Sequence, residues 1–365
     1  MTIDLLDEGR EAATLLGTDR SLMPEIRELV THYFLCQALL ALWDNGFYEY
    51  AKSHPRFTVD EVVAELAVDR TVFETCIVYL NALGFLTRDG EHYGLSERGR
   101  KYHNSYFRGL IDLYVGGYGG ILQNLNRAAR GEIQLSDLHR STKHAAKGTE
   151  EINCISGIPK VLSVMQEIGA SRVLDLGCGT GGFLIQLARQ FDGLQAIGVD
   201  MDADAVEMAR EHARDFGLEN RIAWHVAELG PDGLPLPASI ADGVDVVTAM
   251  YILHEMGRGG RQAIVETLTS LRKTLPGRHF IFFESEPPDV DGLAADPAGQ
   301  TGALNYWFIH PLSLQGSPRW PDDWRGIVED AGCTLIRHEL ISPNARLRFY
   351  LGKLGNGNGN GAAHS

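Results

Sequence analysis

The chain has no run of about 18 consecutive apolar residues, the least that a membrane-crossing helix needs, so no membrane span is expected. It also lacks any extended patch of Lys and Arg, and 33 basic residues face 48 acidic ones for a formal charge of −15. Binding to DNA or RNA draws on clustered cations that neutralise phosphates, so nucleic acid is not an expected partner. Cysteine is scarce: Cys36, Cys76, Cys154, Cys178 and Cys333 stand singly, without a C-x-x-C pair. That argues against a disulfide framework or a thiolate zinc site and predicts five free thiols. The first residues carry Asp4, Asp7 and Glu8 where a signal peptide would be basic, so the expected location is cytoplasmic. What remains is a chain of 365 residues, 44% hydrophobic, with enough apolar material for two packed domains.

The stretch that organises the chain is Arg172 to Gly182, which reads RVLDLGCGTGG. Val173 and Leu174 predict a buried parallel strand, and Phe183 to Gln190 has helical spacing. Between them Gly177, Gly179 and Gly181 allow a tight turn and a close approach of backbone to ligand, while the new helix offers free N–H groups. Gly177, Gly179 and Gly182 also satisfy the dinucleotide pattern G-x-G-x-x-G literally. Two acids point elsewhere. Asp175 ends the strand, where its charge would oppose a pyrophosphate but accept from an ammonium. Asp200 closes the next apolar run, Ala196 to Val199, where a carboxylate can hold both hydroxyls of a ribose. The run VLDLGCGTGG followed by GVD resembles the cofactor signature of class I methyltransferases, which use S-adenosylmethionine. The resemblance implies Asp175 and the glycine backbone at the methionine moiety, Asp200 and Met201 at the ribose, and Glu228 and Leu229 near the adenine. Ala227-Glu228-Leu229 stands where the family often has Gly-Asp-x.

Upstream, residues 21 to 50 carry apolar positions at helical spacing and stop at Asn45-Gly46. Thr58 and Glu61 have the spacing of a capping box, and a further helix runs from Asp69 or Arg70 to Gly84. Phe85 to Leu95 reads as a hairpin turning on Asp89-Gly90. Helices followed by a hairpin predict a winged helix, yet the helix over 70 to 83 sets only Arg70 against Glu74 and offers DNA no basic face. The arrangement, down to Y-x-L-S-E-R-G at Tyr93 to Gly99, resembles the N-terminal dimerisation domain of small-molecule O-methyltransferases, which implies a homodimer. The expected fold is therefore α/β, a Rossmann-like methyltransferase domain with an N-terminal helical winged-helix-type dimerisation domain. The expected divisions are 1–105 for dimerisation, 106–167 for connecting helices, 168–354 for the catalytic domain and 355–365 for a disordered Gly/Asn tail. In the connecting region Arg140, Lys143 and His144 form one basic cluster, read as solvated surface, with a substrate carboxylate as its alternative partner.

Past Asp200 the αβ alternation continues, and two strands around Ser342-Pro343-Asn344-Ala345 close the domain as an antiparallel hairpin. His254 follows the fourth strand of the sheet, at the carboxyl edge where open α/β sheets bind ligands. Its setting, Ile252-Leu253-His254-Glu255, resembles the I-L-H-D of O-methyltransferases, whose His is the general base. A long insertion, 285 to 321, carries Asn305-Tyr306-Trp307-Phe308-Ile309-His310-Pro311 and reads as a pocket loop that brings His310 to face His254. Two imidazoles across a cleft make a partial metal site with open positions for substrate, suited to iron, zinc or nickel. This pair resembles the metal-binding 2-oxo acid C-methyltransferases of nonribosomal-peptide pathways. That resemblance implies methylation of the carbon beside the ketone through a metal-stabilised enolate, with His254, Glu255 and His310 as catalytic residues and His254 and His310 as metal ligands. Glu255 would orient His254 or a water, or move the proton. The alternatives are an O-methyltransferase with His254 as base, and a methyltransferase-like protein that binds ligand without turnover.

Overall fold

The computed structural model describes residues 22–229, 233–235, 237, 241–295 and 299–355. Most of the expected disordered tail, 356–365, and part of the polar loop 230–243 lie outside the described residues. The chain divides into two compact units, Met1–Gly116 and Gly117–Ser365. The division falls at the glycine-rich stretch Gly116-Gly117-Tyr118-Gly119-Gly120, inside the region read as connecting helices.

The first unit contains α1 (Leu22–Asp44), α2 (Phe47–Ser53), α3 (Val59–Leu66), α4 (Arg70–Ala82), the hairpin β1 (Leu86–Asp89) and β2 (His92–Leu95), α5 (Glu97–Tyr102) and α6 (Ser105–Leu110), followed by a π-helical turn, Ile111–Gly117. Its boundaries sit where the local chemistry puts them. Gly46, at φ 91°, separates α1 from α2. Thr58 caps α3 by accepting from Glu61 N–H, while the Glu61 carboxylate accepts from Thr58 N–H at 2.6 Å, which is the expected capping box. Asp69 caps α4, and Gly90, at φ 62°, turns the hairpin. Leu39, Leu42, Trp43, Phe47, Phe73 and Ile77 form the core of this unit.

The second unit begins with short helices α7 (Gly119–Gln123) and α8 (Leu125–Ala129) and the long α9 (Thr142–Ile168). Then β3 (Arg172–Leu176), α10 (Gly182–Gln190), β4 (Gln195–Asp200), α11 (Ala203–Asp215), β5 (Ile222–Val226) and β6 (Val246–Met250) alternate. The remainder is α12 (Leu253–Met256), α13 (Arg261–Thr274), β7 (His279–Ser285), α14 (Val290–Ala295), α15 (Thr301–Leu312), α16 (Pro321–Asp330), β8 (Thr334–Ser342) and β9 (Leu347–Lys353). Seven strands form one sheet in the order β5-β4-β3-β6-β7-β9-β8. The first five run parallel, and β9 joins β7 and β8 antiparallel as the expected closing hairpin.

Both faces of the sheet are covered, which is why its strands read as continuous apolar runs. Val173 and Val246 pack with Ile158, Val161, Leu184 and Val206 on one face, whereas Leu174 and Val247 pack with Leu268, Phe282 and Trp324 on the other. By the two-residue period of a strand, Asp175 and Thr248 point to the first face, the one that α9 covers. The insertion expected to be a loop is largely helical: Asn305 to Leu312 lies in α15, with Pro311 tolerated in its last turn. A long apolar and aromatic run between buried strands gains more by closing its backbone hydrogen bonds in a helix than by leaving them to water.

Candidate active site

The strand order reverses between β3 and β6, so the crevice outside their carboxyl ends is the natural ligand site of this sheet. The glycine turn leaves β3 there, and Gly177, Gly179 and Gly181 all have left-handed φ, 67°, 52° and 81°. Two of them have no room for a side chain. A Cβ at Gly177 would lie 2.8 Å from Ile252 Cγ1, and one at Gly181 would lie 2.5 Å from the Trp224 ring. Asp200 holds the turn: one carboxylate oxygen accepts from Gly179 N–H at 2.8 Å and the other from Asp202 N–H at 2.9 Å. Asp175 is buried at 2% exposure and accepts from Thr248 Oγ1 at 2.6 Å. Burial, with Asp200 adding a smaller like-charge contribution against the Thr248 bond, raises its pKa to about 7. Met201 and Glu228 lie exposed at the rim, while Leu229 packs on the core beneath. Burial also pushes the Cys178 thiol up, so it stays protonated inside the turn.

Leaving β6, the chain turns at Tyr251, a non-glycine residue at φ 56°, and enters α12 with His254. Such a conformation persists only where its surroundings impose it. Tyr251 N–H donates to Phe283 O at 3.1 Å, and His254 N–H donates to Glu284 Oε1 at 3.1 Å, so β7 holds this corner. The ring of His254 is buried at 2% exposure, and its Nδ1 lies 2.8 Å from Glu284 Oε2. His310, from α15, is buried at 1%, and its Nδ1 bonds the Tyr306 carbonyl one turn back. The two Nε2 atoms face each other at 3.2 Å. The Tyr306 hydroxyl lies 3.4 Å from His254 Nε2, and the Tyr306 ring lies against His310 with centroids 3.8 Å apart.

Hydrogen-bond accounting at this pair is restrictive. A carboxylate and a carbonyl only accept, so both Nδ1 atoms must carry the donated proton. In neutral imidazoles both Nε2 atoms are then lone-pair acceptors, and at 3.2 Å they repel unless a proton or a cation lies between them. Burial, and to a smaller extent His254, push His310 down to about 3, which keeps it neutral. The donor set fits a transition-metal ion. Two nitrogens about 2.1 Å from one ion lie roughly 3 Å apart at a right angle and about 3.4 Å apart at a tetrahedral one, and each ring already has the outer partner that ligating imidazoles use. Among the described residues no group of three or more His, Cys, Asp or Glu side chains could hold a metal, so of these the imidazole pair alone would serve as ligands.

The sequence reading put Glu255 beside His254, but the carboxylate that touches the imidazole is that of Glu284. Glu255 turns away: it accepts from Arg140 at 2.9 Å, from Gln315 Nε2 at 2.8 Å and from Arg258 at 3.2 Å. Gln315 in turn accepts from the Tyr118 hydroxyl at 2.6 Å. Arg140 is therefore half-buried and ion-paired, not solvated surface, and its charge is felt at His310. Glu284 escaped the sequence reading because it lies at the end of β7, immediately before the stretch read as the insertion. Glu284 and Glu286, two consecutive even positions closing an apolar strand, were the available signal.

Comparison with known proteins agrees with this architecture. A family model described as a methyltransferase domain matches residues 169–275. The 2-ketoarginine methyltransferase of Streptomyces arginensis is 25% identical over 337 residues, 87% of this chain and 91% of that protein. The indolepyruvate C-methyltransferase of Streptomyces griseus is 28% identical over 244 residues, 65% of this chain and 68% of its own. The human N-acetylserotonin methyltransferase, solved with S-adenosylmethionine, superposes with a TM-score of 0.65 at 18% identity, covering 92% of this chain and 98% of that one. The match to this solved structure extends to the N-terminal helical region as well as the sheet.

Proposed function

We propose that the chain, which is a class I S-adenosylmethionine-dependent small-molecule methyltransferase, transfers its methyl group to the carbon beside the ketone of a 2-oxo acid. The observation that carries this reading is the buried pair of imidazoles whose Nε2 atoms converge at 3.2 Å while both Nδ1 atoms are committed to acceptors. An ion held by His254 and His310 would supply Lewis-acid polarisation to a carbonyl oxygen. The chain's own groups do the rest. Glu284 fixes the tautomer and aim of His254. Arg140, held in place by Glu255, presents a cation suited to the substrate carboxylate. Asp175, the backbone of the Gly177–Gly181 turn, Asp200 and Met201 would hold the methionine and ribose ends of the cofactor, and Glu228 and Leu229 its adenine. The substrate carbon passes its proton to solvent water, the electron pair left on carbon forms the new bond to the methyl, and the sulfonium, losing its bond to that methyl, leaves as a neutral thioether. Two of the relatives are named for 2-oxo acids, which supports the same reading. The test is incubation with cofactor and a panel of branched and aromatic 2-oxo acids, with phenols in parallel and methyl attachment read by NMR. A new methyl on the carbon beside the ketone is expected, and methylation of hydroxyls alone would overturn the proposal.

A second reading rests on the His254–Glu284 contact at 2.8 Å, which is also the arrangement of a general base and its orienting carboxylate in O-methylation. Under either reading Glu284→Gln should lower kcat about 10- to 100-fold. His254 N–H and Nδ1–H each donate to a different oxygen of Glu284, so the NH2 of a glutamine would oppose one of those donors. Calorimetry should find cofactor affinity unchanged in that variant, and an unaltered kcat would remove Glu284 from the mechanism.

We also propose that the chain forms a homodimer through α1. Ile26, Leu29, Val30, Tyr33 and Phe34 are all more than half exposed on this helix, a larger apolar face than monomers usually leave in water. Light scattering should give a particle of twice the 40.1 kDa of the chain, and Leu29→Asp with Phe34→Asp should halve it. A parent that scatters as 40.1 kDa at micromolar concentration would refute this assembly.

A further inference from the structure

The helix α9 carries more polar residues on its inner face than packing requires. Glu150, Asn153 and Gly157 stand three and four residues apart, which aligns them on one side of the helix. Two close approaches show where that side faces. A Cβ at Gly182, the first residue of α10, would lie 2.0 Å from the Glu150 carboxylate, so this carboxylate rests on the glycine turn where it becomes helix. A Cβ at Gly157 would lie 2.9 Å from Met250 Cε and 3.1 Å from Asn153 Oδ1, so the glycine lets α9 meet the carboxyl end of β6 with the amide oxygen in the same gap. Ala249, just before Met250, pairs with Leu176, just before Gly177. The Asn153 amide therefore sits beside the mouth of the crevice, on the sheet face to which Asp175 and Thr248 also point.

Asn153 is 2% exposed, and its Oδ1 has no hydrogen-bond partner among the described residues. A buried acceptor left unmade is costly, and such groups persist where a ligand or a function answers them. Asn153 shares this face with two carboxylates, Glu150 against Gly182 and Asp175 at the end of β3, so the local charge is unfavourable to an anion, whereas a compact cation with N–H donors would satisfy the Asn153 oxygen.

Building on the cofactor reading above, we propose that Asn153, on the Glu150–Gly157 face of α9, is a cofactor-positioning residue whose amide oxygen accepts from the ammonium group of S-adenosylmethionine. The ammonium then bridges α9 and the β3 turn, and the methionine end of the cofactor is held from both sides. The sulfonium methyl is thereby aimed along the crevice, since one fixed end leaves the chain of the methionine little freedom.

The experiment uses S-adenosylhomocysteine and its analogue with the amino group replaced by hydrogen, titrated calorimetrically into the full chain. Asn153→Ala should weaken S-adenosylhomocysteine about tenfold or more while leaving the affinity for the deaminated analogue unchanged, because a bond to a charged donor is lost in one case only. Asn153→Asp, which keeps an acceptor, should bind S-adenosylhomocysteine within about threefold of the parent or more tightly. Equal weakening of both ligands by Asn153→Ala, or no weakening of either, would overturn the proposal, as would loss of S-adenosylhomocysteine binding in a folded Asn153→Asp variant. A parent chain that binds neither ligand would sink the cofactor reading itself, an outcome distinct from these.

Discussion

Replacing either His254 or His310 with alanine is expected to reduce C-methylation of a 2-oxo acid by at least about 100-fold, and to remove metal from protein purified without added metal. The two effects should go together because each ring supplies one of only two convergent nitrogens, 3.2 Å apart and buried at 1–2% exposure. A single remaining imidazole holds an ion weakly, and among the described residues no third His, Cys, Asp or Glu completes a metal-holding group with either ring. The pair of variants also separates the two readings of the site. If His254 acts only as a base for a hydroxyl, His254→Ala should be inactive while His310→Ala keeps most of its activity, and a chelator should have no effect. Elemental analysis of the parent and both variants, alongside turnover with and without chelator, decides the matter. Metal-free parent protein with chelator-resistant turnover would eliminate the metal.

The second large effect concerns Asp175 and is a matter of pH. Its pKa is raised to about 7 in the fold, against 3.8 in an unstructured chain, mainly because burial penalises its charge. The folded state therefore holds the proton more tightly than the unfolded state, and linkage gives the sign. Stability from this group is complete below about pH 4, declines as pH rises towards 7, and is flat above, with a loss of roughly 4 kcal/mol at most. Asp175→Asn keeps the shape without the charge, so in the absence of cofactor it should unfold at a higher temperature than the parent at pH 8 and at a similar one at pH 4. Cofactor binding should respond in the opposite sense. An ammonium stabilises the ionised carboxylate, so affinity should rise with pH up to about 7, and the Asn variant should bind at least about tenfold more weakly at pH 8 and lose that pH dependence. Parallel melting curves for parent and variant across pH 4 to 8, with calorimetry of S-adenosylhomocysteine at the same points, test both halves. Curves that do not diverge with pH would show that Asp175 titrates normally.

The class of the fold and the placement of the cofactor turn were legible in the sequence because they depend on short-range chemistry. Three glycines with left-handed φ, an apolar run before them and an acid at each strand end are local requirements, and the same is true of the Thr58 capping box, the Gly46 break and the Gly90 hairpin. Parallel strands covered on both faces also announce themselves as apolar runs, so β3 and β4 fell where the runs at Val173-Leu174 and Ala196 to Val199 put them. The meeting of His254 and His310 was anticipated from the length and aromatic content of the insertion and from resemblance, since nothing in the spacing of residues 254 and 310 fixes a distance.

What only the tertiary structure decided is which polar groups meet across elements. Adjacency in sequence suggested that Glu255 supports His254, yet a residue on a one-turn helix points away from its neighbour, and Glu255 reaches Arg140 and Gln315 instead. Glu284 reaches His254 because β7 lies beside β6 in the sheet and runs two residues further than its apolar core. The aromatic insertion became α15, which sets His310 one helical turn after Tyr306 and commits its Nδ1 to a carbonyl. Asn153 and Glu150 gained a place at the crevice through the packing of α9 against the glycine turn, 25 to 30 residues away along the chain. In each case the sequence determined what a residue can do, and the sheet order and helix packing determined what it does it to. Periodicity carries information about the next turn or strand, whereas these contacts join positions whose separation has no period at all.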